Sequence, residues 1–165
     1  MPLTLRPVSP DDQEFLYRVY AATREEELAQ VDWEVSQKEA FLRMQFNAQH
    51  AYYQENYREA AFQVILLEGE PVGRLYLHRR PQEIRIVDIS LLPAFRGRGI
   101  GSTLLKEILA EGDRSGRVVT IHVERFNPAL RLYTRLGFRQ AADRGVYLFM
   151  EWKPAQKEEL KCSID

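Results

Sequence analysis

One stretch restricts this chain more than any other: Leu91-Leu92-Pro93-Ala94-Phe95-Arg96-Gly97-Arg98-Gly99-Ile100-Gly101-Ser102-Thr103-Leu104-Leu105. A mostly apolar strand, Ile84 to Leu92, runs into Pro93, and glycines follow at alternate positions, Gly97, Gly99 and Gly101. Apolar residues then recur at Ile100, Leu104, Leu105, Ile108 and Leu109, a helical spacing. Strand, glycine-rich turn and helix N-terminus together suit an anion. Glycines let backbone approach a ligand closely, and the first N–H groups of a helix have no intrahelical partner. Arg96 and Arg98 add positive charge at the same place. The stretch reads as a pyrophosphate site held by Arg96, Gly97, Arg98, Gly99, Ile100, Gly101 and Ser102.

Other phosphate-binding patterns fit less well. A P-loop closes on Lys-Ser or Lys-Thr, and neither follows these glycines. A dinucleotide fingerprint opens a parallel βαβ unit within a regular β-α alternation. Here the third small position counted from Gly97 is Ser102, and strand-like runs already precede the motif's own strand. What remains is Arg96-x-x-Gly99-x-Gly101. The plain alternative is a glycine-rich turn that holds no ligand.

The chain has 165 residues, 45% apolar and 28% charged, which suits one soluble globular domain with a full core. Its 23 basic and 24 acidic residues leave a net charge of −1, which argues against nucleic acid as a partner. No apolar run is long enough to span a membrane, and the N-terminus lacks a signal-peptide core, so a cytoplasmic protein without membrane partners is expected. Cys162 stands alone in a polar tail, so neither a disulfide framework nor a cysteine-based metal site is expected, and no metal is assigned.

In chain order, Leu3 to Val8 reads as a strand. Ser9-Pro10-Asp11-Asp12 starts a helix expected to reach about Leu28. Ser36-Gln37-Lys38-Glu39 reads as the capping box of a second helix. Phe62 to Leu67 and Val72 to Arg80 read as a hairpin turned by Glu68-Gly69-Glu70-Pro71, and Ile84 to Leu92 as a further antiparallel strand. The central helix is expected from about Gly99 to Gly112. A strand from Arg117 to Arg125, a short helix opened by Asn127-Pro128, and two strands from Phe138 to Trp152 complete the pattern. The order β-α-α-β-β-β-α-β-α-β-β predicts a mixed α+β fold, a mostly antiparallel central sheet flanked by helices. Residues 1–153 form the expected single domain, and residues 154–165 a polar C-terminal tail.

A second constellation lies downstream in Asn127-Pro128-Ala129-Leu130-Arg131-Leu132-Tyr133-Thr134-Arg135-Leu136-Gly137-Phe138. With Arg96-x-x-Gly99-x-Gly101 it resembles the GNAT superfamily of N-acetyltransferases, in which an Asn ends a strand and a Tyr six residues on faces the cofactor thiol before Leu-Gly-Phe. The element order agrees from Leu3 to Lys153. The resemblance implies acetyl-CoA as co-substrate, its pyrophosphate on the glycine-rich loop, and Asn127 beside the pantetheine. It implies backbone N–H groups at Leu91 and Leu92 that polarise the thioester carbonyl, and direct attack by a primary amine. It also implies Tyr133 as the proton donor to the departing thiolate. A phenol of pKa about 10 serving a thiol of pKa about 8.5 is mildly uphill, so the surroundings must help. Packing on the core face is the competing reading of Tyr133.

The amine must also lose a proton, since an ammonium with pKa about 10.4 is unreactive at neutral pH. Asp88 is the candidate, because an Asp inside a central strand is costly unless paired or used. A buried Asp paired with an Arg explains it equally well, and Glu124 and His122 are alternatives. Arg131 and Arg135 are further candidates, for the adenosine 3′-phosphate. In the family the first two helices wall the acceptor pocket; here they carry Tyr17, Tyr20, Trp33, Gln45, Phe46, Gln49, Tyr52, Tyr53 and Tyr57, most of them at core spacing. The expected acceptor is a small-molecule amine, with a protein or peptide amine second. A non-catalytic acyl-CoA sensor and a dinucleotide oxidoreductase are the rivals from other classes. The aromatic strand Tyr147 to Trp152 suits either a homodimer seam or the core.

Overall fold

The computed structural model describes residues 2–155, and the tail expected from Pro154 lies, beyond Ala155, outside them. The strands form close to their expected ends: β1 (Leu3–Pro7), β2 (Ala61–Leu67), β3 (Glu70–Arg79), β4 (Glu83–Leu91), β5 (Val118–Glu124), β6 (Arg139–Arg144) and β7 (Tyr147–Trp152). The helices are α1 (Gln13–Ala22), α2 (Glu25–Ala29), α3 (Val35–Asn56), α4 (Ile100–Ser115) and α5 (Leu130–Arg135). The strands make one seven-stranded sheet in the order β1-β2-β3-β4-β5-β7-β6, and β4–β5 is a parallel pair. The fold is the mixed, mostly antiparallel α+β class that the element order predicts. By packing, the chain divides into two compact units. The first holds the residues up to Tyr76 with Asp88–Arg98, and the second holds Leu77–Val87 with the described residues from Gly99 on.

In the first unit β1 and β2 pair antiparallel, from Leu3↔Leu67 to Pro7↔Gln63. The hairpin from β2 to β3 turns on Glu68 and Gly69, with φ of 51° and 85°. Two positive φ angles are those of a two-residue turn that matches the strand twist, and the glycine makes the second one cheap. Phe15, Leu16, Tyr17, Val19, Tyr20, Phe46 and Val64 form the core here, which takes three of the aromatics expected along the acceptor wall.

Two helix expectations are corrected. The first helix breaks after Ala22, where the Thr23 hydroxyl and N–H both donate to the Tyr20 carbonyl, at 2.6 and 3.0 Å. A side chain competing for a backbone carbonyl tightens the turn, and α2 restarts at Glu25. The cap of α3 is Glu34 rather than Ser36. The Glu34 N–H donates to Gln37 Oε1 at 3.1 Å, and its carbonyl accepts from Gln37 and Lys38. The same spacing thus works two residues earlier, where Trp33 packs edge-on against Phe41 at 5.3 Å.

In the second unit the β4–β5 ladder runs from Glu83↔Val118 to Ile86↔Ile121, and β5 pairs with β7 from Val119↔Trp152 to Glu124↔Tyr147. β7 therefore lies between β5 and β6, and both its edges are taken within the sheet. α4 buries Ile100, Leu104, Leu105, Ile108 and Leu109 and runs past Gly112 to Ser115, where Gly116 caps it at φ 68°. Gly112 is needed for close packing, since a Cβ there would lie 3.0 Å from the Arg117 carbonyl, Trp152 and Val119. Among the described residues no helix is long and apolar enough to cross a membrane.

Asp12, 7% exposed, ties β1 to the entry of α1. Its oxygens accept from both terminal nitrogens of Arg6 at 2.8 Å and from the Ser9 N–H at 2.8 Å. The Arg6 hydrogen bonds, helped by Ser9, hold its pKa down at about 2. A depressed carboxylate stabilises the fold above its unfolded pKa, near 3.9, and that contribution is lost as the pH falls through the folded value. Asp12→Asn should therefore cost on the order of 1–2 kcal/mol at pH 7. In thermal unfolding followed by circular dichroism, the gap to the wild type should close between about pH 4 and pH 2.

Candidate active site

The first unit supplies the end of β4. Ser90's carbonyl oxygen fills the space that a Cβ on Gly73 would take, only 2.2 Å from that position. The peptide bonds are trans, so the Leu91 N–H points the opposite way from the Ser90 carbonyl. The Leu92 N–H donates to the Val72 carbonyl at 2.9 Å. Of the two expected backbone donors, Leu92's is thus committed to β3, and Leu91's is turned away from Gly73. The Leu91 carbonyl accepts from Arg96 Nε at 3.1 Å, across a 3-10 turn at Pro93–Phe95. Arg98 lies over the Phe95 ring, 5.5 Å from its centroid.

Asp88, on the same strand, is the paired acid that its position allows. Oδ2 accepts from Arg74 Nη2 at 2.8 Å and from the Tyr53 hydroxyl at 3.2 Å, and Oδ1 accepts from the Ser90 hydroxyl at 2.7 Å. Its side chain keeps 12% exposure while that of Arg74 keeps 3%. Neither Gly73 nor Arg74 stands out when Val72 to Arg80 is read simply as a return strand. The available signals were a glycine inside a strand, which marks a bulge or close approach, and an arginine inside an apolar run.

The glycine-rich run passes from the first unit, which holds Gly97, into the second, which resumes at Gly99. Gly97 and Gly99 have φ of 71° and 83°, a region that side chains disfavour, and Gly99 is the residue before α4. The Thr103 N–H and hydroxyl both donate to the Gly99 carbonyl, at 3.0 and 2.8 Å. The N–H groups of Ile100, Gly101 and Ser102 precede that first intrahelical bond. Gly101 differs from the other two glycines: its φ is not positive, and a Cβ there would meet nothing within 4 Å. No internal packing explains a glycine at that position.

Beyond β5, the side-chain oxygen of Asn127 accepts from the Ala129 N–H at 2.8 Å, and its carbonyl accepts from Leu130. Asn127 therefore shapes the turn before α5 and is itself exposed. Tyr133 on α5 is 5% exposed, and its ring meets Phe138 edge-on at 5.5 Å. Arg131 and Arg135 are exposed. His122 Nε2 lies 2.8 Å from Arg144 Nη1, so that nitrogen accepts. Burial first, then Arg85 and Arg144, push its pKa down and keep the ring neutral. Glu124 stands opposite Tyr147 at the end of the β5–β7 ladder.

These features meet known proteins at several points. The acetyltransferase (GNAT) family model matches residues 17–138, and the chain belongs to that family, an acyltransferase by class. No curated protein matches it. Among solved structures, the PaiA N-acetyltransferase from Thermoplasma acidophilum in complex with coenzyme A is 20% identical, with a TM-score of 0.69 over 93% of this chain and 99% of that one. An acetyltransferase from Thermus thermophilus is 23% identical, with a TM-score of 0.65 over 93% and 97%. A GNAT family acetyltransferase from Elizabethkingia anophelis, with acetyl-CoA bound, is 15% identical, with a TM-score of 0.58 over 92% and 97%. At these identities the likeness is one of fold.

Gly73→Ala should displace the end of β4 at Ser90 and Leu91, because the added carbon meets the Ser90 backbone carbonyl first rather than a yielding side chain. A cost of about 1–3 kcal/mol is expected, seen as a lower urea midpoint with an unchanged slope.

Proposed function

We propose that this protein transfers the acetyl group of acetyl-CoA to the primary amine of a small molecule by direct attack, with residues 1–153 as one catalytic domain. The observation that carries the reading is Gly101. In the first turn of a helix Ala would be the better residue by about 0.5–1 kcal/mol, and nothing in the fold excludes it. A glycine kept there suits a group that approaches from outside, and the unpartnered N–H groups of Ile100, Gly101 and Ser102 suit the anionic pyrophosphate of coenzyme A. Arg96 and Arg98 bring the charge, and the left-handed Gly97 and Gly99 shape the loop.

The remaining roles follow from chemistry. The Leu91 N–H donates to the thioester oxygen, where negative charge develops. Asp88 takes a proton from the incoming ammonium, leaving the nitrogen lone pair to attack the acetyl carbon. The carbon–sulfur bond then breaks, and Tyr133 gives its phenolic proton to the thiolate. The second proton lost by the nitrogen restores Tyr133, and Asp88 releases its own to solvent. The products are an amide, free coenzyme A and one proton. Asn127, already holding the turn before α5, contributes to the pantetheine side. An acidic Asp88 beside the hydroxyl of Tyr53 favours a small cationic amine.

Acetyl-CoA at roughly 100 times its Kd should stabilise the protein by about 2.7 kcal/mol, while ATP and NAD at equal concentration should not. Gly101→Ala should fold at least as stably as the wild type and lose most of that ligand-induced shift. A full shift in Gly101→Ala counts against the loop as the cofactor site. Tyr133→Phe should keep the acetyl-CoA shift and lose about 100-fold or more in kcat for thiol release, measured with a panel of phenethylamine, putrescine and ethanolamine. Unchanged turnover removes Tyr133 from the chemistry, and binding without turnover of any amine by the wild type would point to a sensor.

A further inference from the structure

Among its described residues the first unit holds one buried cation that the roles above do not use. Arg74 lies on β3 with 3% of its side chain exposed, in the otherwise largely apolar run Val72 to Leu77. A guanidinium carries N–H donors on three nitrogens, and burying it is usually worse for stability than a hydrophobic residue of like size. Here the fold satisfies it incompletely: among the described residues Nε is fully buried without a hydrogen-bond partner. One nitrogen, Nη2, is used twice, toward Asp88 Oδ2 at 2.8 Å and toward Gln49 Oε1 at 2.9 Å. The guanidinium also lies 5.2 Å from the centre of the Tyr76 ring, which in turn meets Tyr53 edge-on at 5.8 Å.

The groups around Asp88 are few. β3 brings Arg74 and Tyr76, α3 brings Gln49 and Tyr53, and β4 brings Ser90. Asp12, in the turn before α1, acts only weakly on Tyr76. Burial pushes the Tyr76 phenol up, so it stays neutral at working pH, and Arg74 is the cation of the set.

We propose that Arg74 is a positioning residue for the amine half of the reaction: its bond to Oδ2 orients the Asp88 carboxylate toward the ammonium whose proton it takes. The step breaks one N–H bond and forms one O–H bond on Asp88, and the electron pair stays on nitrogen. Ser90 and Tyr53 fix the rotation of the carboxylate, and Gln49 holds the guanidinium so that it does not swing away. This inference rests on the assignment of Asp88 as proton acceptor above.

The test uses the full chain, with Arg74→Met, Arg74→Lys and Asp88→Asn. The readouts are kcat and the KM values for phenethylamine and acetyl-CoA, with the thermal midpoint of each variant alongside. In Arg74→Met the carboxylate loses its fixed orientation, so kcat/KM for phenethylamine should fall at least tenfold with the KM for acetyl-CoA within twofold. Arg74→Lys, which keeps a donor toward Asp88, should recover at least half of that loss on a logarithmic scale. Should Arg74→Met not fold, Arg74→Lys decides alone: its kcat/KM for phenethylamine should fall about twofold or more at unchanged KM for acetyl-CoA. Wild-type kcat/KM in the variant that folds, or a lysine variant as impaired as the methionine one, overturns the positioning role. Wild-type kcat/KM in Asp88→Asn instead overturns the assignment of Asp88 itself, and putrescine or ethanolamine replaces phenethylamine if that amine is not turned over.

Discussion

A backbone N–H at the end of a strand points where its peptide plane points, and at the end of β4 the neighbouring strand sets that plane. The ladder to β5 runs from Glu83 to Ile86, while β4 itself continues to Leu91. Ser90 then places its carbonyl where Gly73 leaves room, and the Leu92 N–H returns to Val72. Between those two anchors the Leu91 N–H is aimed by the planarity of the peptide bond rather than by any side chain. A single hydrogen atom in place of a side chain, on the neighbouring strand, sets that direction.

The same neighbouring strand explains the charge beside it. Gly73 and Arg74 are consecutive, so they project to opposite faces of β3. One makes room for the backbone of β4, and the other meets its Asp88 side chain. An arginine and an aspartate in two adjacent central strands do little for stability once desolvation is counted. Isoleucine and valine would pack there with less loss. A pair of this kind has more to offer in fixing where a negative charge sits, and the three donors on Asp88 leave it little rotational freedom.

Local signals carried much of the sequence reading. Pro93 and the alternate glycines marked the strand-to-helix turn, Glu68-Gly69 the hairpin, and the apolar spacing of Ile100 to Leu109 the face of α4, because each is decided within a few residues. Glu34 as the cap of α3 was less legible, since Ser36 offered a rival with the same spacing and Trp33 settled the entry by packing on Phe41. The break after Ala22 depends on one hydroxyl choosing a carbonyl over water. Gly73, the Leu92 bond to Val72 and the partners of Asp88 depend on which strand lies alongside, and no local pattern states that. Asp88 was visible as an anomaly, whereas the arginine that answers it was not.

The three glycines of the loop carry different information. Gly97 and Gly99 take φ values that a side chain would resist, so the turn itself accounts for them. Gly101 has neither a positive φ nor a neighbour within 4 Å of a Cβ, and it sits where a helix would be stronger with almost any other residue. A residue that the fold itself does not require, and that helix propensity disfavours, points outward to whatever approaches it. The first turn of α4 offers such a visitor N–H groups that no carbonyl has claimed, and two arginines come just before it in the chain. Strain explains two of the glycines, the fold gives no reason for the third, and that difference is what the proposed anionic ligand accounts for.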